Sequence, residues 1–341
     1  MSFKRSATAV ALVAIVGVAI AVAAGARSQA TINGAGATFP QPLIAVWQQQ
    51  YKRDQINYNG IGSGGGIAAI TNRTVDFGAS DAPLTPDQFA ACKGCVQMPW
   101  VLSATSVMYN LDGVKNALHM NGRLIADIYL GRVTTWNDAR IKRLNPGVNL
   151  PDRKITPVYR SDGSGTTYNF TDYLTSVSPT FKSRVGGPST TVNWPTGVGA
   201  RGSSGVAGVV TRTEGAVGYA DIAYALKNNI KFAAVQNKSG KWATPGLRSI
   251  KAAASADKKF SSTNELSIVN PPRGKKYLRA YPICTYSYVI VPLQSSKAAQ
   301  LKSFITWAVT SGQQYGPKLI FQPVPSYVVT RVKAQLRRVH S

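Results

Sequence analysis

Three turns rich in glycine, serine and threonine, each caught between a β-prone run and a helix-patterned run, restrict this chain more than any other feature. They are Gly34-Ala35-Gly36-Ala37-Thr38-Phe39-Pro40, Gly60-Ile61-Gly62-Ser63-Gly64-Gly65-Gly66 and Asp162-Gly163-Ser164-Gly165-Thr166-Thr167. Strand, short turn, helix, repeated, is the signature of a parallel α/β sheet. Apolar spacing predicts helices over Ala45–Tyr51 and Gly65–Thr71, and Asp76–Asp81 reads as a buried strand ending in a polar turn. Pro86 opens a helix that runs to Cys92. The cycle then repeats, with a strand over Val101–Asn110, a helix over Arg123–Leu130, a strand over Ile155–Tyr159 and a helix over Asn169–Leu174.

From Ala243 to Lys276 the composition shifts to Ala, Lys, Ser and Pro with little period, which predicts a helical or loop-rich surface stretch. Tyr286–Val291 returns to strand, and Lys297–Thr310 is an amphipathic helix with Leu301, Phe304, Ile305 and Ala308 on one face. At 341 residues the chain exceeds what one core usually organises, so two domains are expected. The β-rich runs near 101–110 and 283–291 bracket the middle of the chain. They read as crossings between a split outer domain and a contiguous inner one.

Lys4 and Arg5 precede an apolar run from Ala7 to Ala24 and then small residues, the pattern of a secretory signal over residues 1–30. Cleavage after Ala26 or after Ala30 fits the small-x-small rule, and the second is preferred. The expected destination is the periplasm or another extracytoplasmic compartment. Cys92 and Cys95 stand in a C-x-x-C; in an exported chain a local disulfide is favoured over free thiols, and Cys284 reads as a buried small hydrophobe.

Hydrophobic residues make up 44% and charged residues 16%, which excludes a disordered chain. With 39 Lys+Arg against 14 Asp+Glu, the net charge of +25 attracts anions broadly. No nucleic-acid-reading motif accompanies it, so nucleic acid is not expected as a partner. Enzyme chemistry is poorly provided for. His119 and His340 are the only histidines, no turn serine lies in G-x-S-x-G, and no glycine-rich turn ends in Gly-Lys-Ser/Thr. No cofactor or metal set is evident.

The chemistry therefore lies in the three turns. Each offers backbone N–H groups and a hydroxyl at a helix N-terminus, an arrangement that binds oxyanions, although any one alone is compatible with an ordinary turn. Arg160, two residues before Asp162, can present a guanidinium to an anion while the acid holds it. A carboxylate such as Asp81 repels an anion unless that anion has a proton to donate. Hydrogen phosphate has one and sulfate has none. The alternative for Asp81 is a turn or N-cap residue before the helix at Pro86.

The segments 33–40, 57–66, 75–84 and 160–166, in this order and spacing, resemble four signatures of the phosphate-binding proteins of ABC-type phosphate importers. Asp127-Ile128-Tyr129-Leu130-Gly131, Leu144-Asn145-Pro146-Gly147 and Gly215-Ala216-Val217-Gly218-Tyr219 add to the resemblance, which covers roughly residues 31–339. It implies a two-lobed α/β periplasmic-binding-protein fold, each lobe a mainly parallel sheet flanked by helices, with the ligand cleft between lobes. The lobes expected are 31–105 with 283–341, and 106–282. The implied ligand set for inorganic phosphate is Thr38, Phe39, Ser63, Asp81, Arg160, Ser164, Gly165 and Thr166, with Asp162 holding Arg160. Gly64 stands where the family usually has a serine. The resemblance further implies a monomeric, non-enzymatic receptor that hands phosphate to membrane permease subunits and their ATPase. Arsenate, which shares the protonation logic, and adhesion to an envelope surface are the alternatives.

Overall fold

The computed structural model describes residues 29–114 and 117–341; residues 1–28 of the predicted 1–30 signal lie outside the described residues. The chain opens with β1 (Thr31–Gly36), α1 (Gln41–Gln50), β2 (Gln55–Gly60), α2 (Ser63–Thr71), β3 (Phe77–Ser80), α3 (Pro86–Cys92) and β4 (Cys95–Tyr109). It continues through β5 (His119–Met120), α4 (Gly122–Tyr129), α5 (Ala139–Leu144), β6 (Thr156–Arg160), α6 (Gly165–Val177), α7 (Pro179–Val185), β7 (Val198–Ala200), α8 (Gly202–Arg212), β8 (Ala216–Asp221) and α9 (Ile222–Lys227). Then come β9 (Lys231–Phe232), β10 (Ala234–Gln236), β11 (Trp242–Ala243), α10 (Leu247–Ala254), β12 (Cys284–Pro292), α11 (Ala298–Val309) and α12 (Ser326–Leu336).

Among the described residues, nine strands form one mixed sheet in the order β2-β1-β3-β12-β4-β8-β6-β7, with β9 also on β4. The parallel pairs anticipated from sequence are present at each end, β1 with β2 and β3, and β6 with β7 and β8. The centre departs from the mainly parallel expectation, because β12 runs antiparallel to β3 and β4, and β4 antiparallel to β8. The reason is topological. β4 carries the chain out of the first half of the molecule and β12 brings it back, so the two must run in opposite directions. β4 pairs with β12 from Cys95 to Ala104 and with β8 from Thr105 to Tyr109, so a single strand belongs to both halves.

Register places the turns. Gly36 lies opposite both Gly60 and Ala79, so the chain leaves β1, β2 and β3 at one edge of the first half. Arg160 lies opposite Ala200, which brings the turns after β6 and β7 together in the second half. Each half packs its own aromatic cluster behind the sheet, Trp47, Phe77, Trp100 and Phe304 in one and Tyr129, Phe170, Trp194 and Tyr219 in the other.

The expected surface stretch after β11 contains α10 and then loop. That loop lies against the first half: Gln97 Nε2 donates to Thr263 O at 2.9 Å, and Leu266 N donates to the Tyr288 hydroxyl at 3.1 Å. Cys92 and Cys95 are joined by a disulfide that ties the end of α3 to the start of β4. Arg73, just past α2, donates to the carbonyls of Ile70 and Cys92, both at 2.7 Å, so α2 and the disulfide loop share a clamp. Cys284 is free and buried. Among the described residues, no helix is long and apolar enough to cross a membrane.

Candidate anion-binding cleft

The three turns meet between the halves of the molecule, together with a fourth. Across this junction Gly64 N donates to Gly163 O at 2.9 Å, and Gly165 N donates to the Ser63 hydroxyl at 3.0 Å. Thr38 Oγ1 lies 2.9 Å from Ser203 Oγ and accepts from Ser203 N at 3.0 Å. The Tyr224 hydroxyl donates to Thr38 O at 2.5 Å. The halves are therefore in direct contact, with both sets of helix N-termini facing the same point.

Glycine is required where that contact is tightest. Gly165 opens α6, and a Cβ built on it would sit 2.5 Å from Ala82 N and 2.6 Å from Asp81 N, closer than any side chain allows. Gly64, the position where the family signature has serine, would place a Cβ 3.3 Å from Gly163 Cα. Its bare backbone lets the second and third turns touch.

Arg160 and Asp162 form the cationic part. The guanidinium is bidentate to the carboxylate, Nε to Oδ1 at 2.7 Å and Nη2 to Oδ2 at 2.6 Å, and its side chain is 1% exposed. Asp162 also accepts from Gly202 N at 3.0 Å. Burial alone would raise the Asp162 pKa, but the paired guanidinium and that N–H hold it below the usual carboxylate range. Arg160 Nη1 approaches Ser203 Oγ at 3.5 Å, which aims the outer face of the guanidinium at the junction.

Asp81 faces this cation from the first half and is 1% exposed. Its Oδ1 accepts from Ser287 Oγ at 2.7 Å and its Oδ2 from Thr166 Oγ1 at 3.4 Å. Burial pushes its pKa up to about 7, against the opposing pull of the Ser287 hydroxyl, the Arg160 charge and the Thr166 hydroxyl. It is not the cap of α3; Thr85 takes that place in a capping box with Gln88. Ser164 is the N-cap of α6, its oxygen accepting from Thr167 N at 3.1 Å, so only its hydroxyl hydrogen is left to donate outward. Phe39 packs its buried ring edge-on against Phe321, which fixes the backbone of the first turn.

Of the predicted ligand residues, Thr38, Ser63, Asp81, Arg160, Gly165 and Thr166 are linked at this junction, Asp162 holds Arg160, and Phe39 and Ser164 stand next to Thr38 and Gly165 in the chain. Sequence reasoning missed four neighbours. Ser203 follows β7 in Arg201-Gly202-Ser203-Ser204-Gly205, a fourth turn of the same glycine-serine type, and that pattern was the available signal. Ser287 sits at a register shift in β12 that turns its hydroxyl toward Asp81. Asn169 bridges the halves, its amide donating to Asp81 O and Gly165 O, both at 2.8 Å. Asp221, fully buried at the end of β8, lies opposite Thr105 where β4 changes partner, and burial drives its pKa well up. Among the described residues, no group of three or more His, Cys, Asp or Glu is placed to hold a metal ion.

A family model described as a PBP superfamily domain matches residues 21–311. The phosphate-binding protein PstS of Xylella fastidiosa (strain Temecula1) is 42% identical over 311 residues, 89% of this chain and 84% of that one. The protein of the same name in Haemophilus influenzae is 36% identical over 312 residues, 89% of this chain and 92% of that one. Among solved structures, a high affinity periplasmic phosphate-binding protein (PfluDING) with phosphate bound superposes with a TM-score of 0.72 over 89% of this chain and 93% of that one, at 21% identity. At that identity the last likeness speaks for the two-lobed α/β fold alone.

Proposed function

This chain belongs to the phosphate-binding protein PstS family within the PBP superfamily, and from that premise we propose that it captures inorganic phosphate between its lobes and delivers it to the permease of an ABC importer. The observation that carries the reading is the meeting, within one buried junction, of an oriented cation, Arg160, already held by Asp162, with a further buried carboxylate, Asp81, among helix N-termini. A site for a fully deprotonated anion has no use for Asp81. A site for hydrogen phosphate does, because the carboxylate accepts the ligand's proton while Arg160 and the neutral dipoles meet the remaining oxygens.

In this reading Thr38 and the Phe39 backbone, Ser63 and Asp81 come from one lobe, and Arg160, Ser164, Gly165 and Thr166 from the other. Asp162 positions Arg160. Neither half-set suffices alone, so phosphate favours the closed arrangement and shifts the population toward it. The lobes are assigned as 31–105 with 283–341 and as 106–282; the change of partner along β4 between Ala104 and Thr105 supports the division. Export to the periplasm through the N-terminal signal, a monomeric state and the absence of catalysis complete the proposal. The named relatives are phosphate-binding proteins, which supports a receptor over an enzyme.

Calorimetric titration of phosphate-stripped protein tests it. One equivalent of phosphate bound at micromolar Kd or tighter, with sulfate silent at pH 8, is the expected result. A folded protein that ignores phosphate overturns the reading.

A further inference from the structure

A second cavity lies away from the cleft, between the start of α4, the second half of α6, the turn joining β10 to β11 and the loop around Arg273. Its volume is about 650 Å³, within the range of small-molecule sites and several times the size of one phosphate ion. Arg123, Lys238 and Arg273 line it, and no acidic side chain does. Among the described residues none of these three cations is in an ion pair.

The walls are fixed without any ligand. Asn237 is buried, donates to the carbonyls of Leu278 and Ala280 at 3.1 and 3.0 Å, and accepts from the N–H groups of Ser239 and Lys241 at 3.0 and 3.1 Å. Arg273 Nε donates to the backbone carbonyl of Lys238 at 3.0 Å, which holds the Arg273 guanidinium at the rim. Asn270 Nδ2 donates to Ser176 Oγ at 2.7 Å across the floor. Three exposed cations around one cavity, with no acidic side chain in its lining, favour an anion, and a multiply charged one most. Two of the three are guanidinium forks, which suit phosphoryl oxygens in bidentate geometry.

We propose that this cavity is a second anion site that takes an oligophosphate, a small solute with two or more phosphoryl groups, either inorganic or carried on a sugar. It is separate from the cleft and does not depend on what the cleft binds.

The test is calorimetric titration of the purified protein at physiological salt and excess inorganic phosphate, with tripolyphosphate in one arm and fructose 1,6-bisphosphate in the other. One equivalent of at least one probe should bind, and the tighter arm identifies the source. The variant Arg123→Gln/Lys238→Gln/Arg273→Gln should weaken that binding by about tenfold or more, as the loss of several charge-assisted bonds requires. Its titration with phosphate alone should be unchanged, which certifies the fold and keeps the two sites distinguishable. A control, Arg212→Gln/Lys227→Gln/Lys251→Gln, removes three exposed cations that do not line the cavity and should leave probe binding intact. Silence from both probes overturns the proposal. So does equal weakening in the two variants, because diffuse surface charge would then account for the binding.

Discussion

In the proposed site, selectivity is expected to turn on Asp81. A carboxylate that is 1% exposed and faces an anion's position is tolerated only if it is neutral or if the anion brings a proton to it. With its pKa pushed up to about 7, it is largely ionised at pH 8 and largely protonated at pH 6. Sulfate needs the protonated form, whose fraction rises about tenfold over that interval. Sulfate affinity is therefore expected to rise roughly tenfold from pH 8 to pH 6 in the parent protein, following that fraction. Asp81→Asn should bind sulfate at the parent's acid-limit affinity at both pH values, with a flat profile, while phosphate affinity falls less than selectivity does. Titrations with both anions at the two pH values check this, and an unchanged phosphate-to-sulfate ratio in the variant would remove Asp81 from the role.

At the scale of elements, strand ends carry the chemistry and the surrounding contacts set their spacing. The Cys92–Cys95 disulfide and the Arg73 clamp join α2, which presents Ser63 at its other end, to α3 and β4. Closing so short a loop restricts the unfolded chain by only about 2 kcal/mol, so Cys92→Ala/Cys95→Ala should lower stability by that amount. Chemical denaturation measures it, with phosphate binding retained as the sign that α2 has kept its place. These elements were unevenly legible in the sequence. The turns at 34–40, 60–66 and 162–167 announced themselves because glycine and hydroxyl residues between apolar runs have few other uses. Helix α6 begins at Gly165, four residues before the apolar spacing that predicts it from Asn169, because its first turn is polar. Ser287 was invisible, since a register shift depends on the partner strand and leaves no mark in an unbroken β-prone run. The central antiparallel pair was equally hidden. Residues 95–109 and 284–292 look like any buried strands until their pairing across the chain is known.

For the whole molecule, the proposed closure is expected to be coupled to protons. Asp81 and Asp221 both have pKa values raised by burial, so an arrangement that keeps them buried favours their protonated forms. The sign follows: a carboxyl with a raised pKa contributes no penalty below its ordinary value near 4, and the full penalty once pH exceeds the raised value. Ligand-free protein should therefore open progressively as pH climbs from about 4 to above 7, seen as a rising radius of gyration in solution scattering, and phosphate should cancel the trend. A radius independent of pH would separate these carboxyls from the motion. The seating of β12 between β3 and β4 has a consequence of another kind. Both of its neighbours are made before residue 110, yet the strand that joins them is the last of the sheet to leave the ribosome. Until residues 284–292 have been made, the slot between β3 and β4 stands open, so the sheet of the first half can be completed only when nearly the whole chain is present.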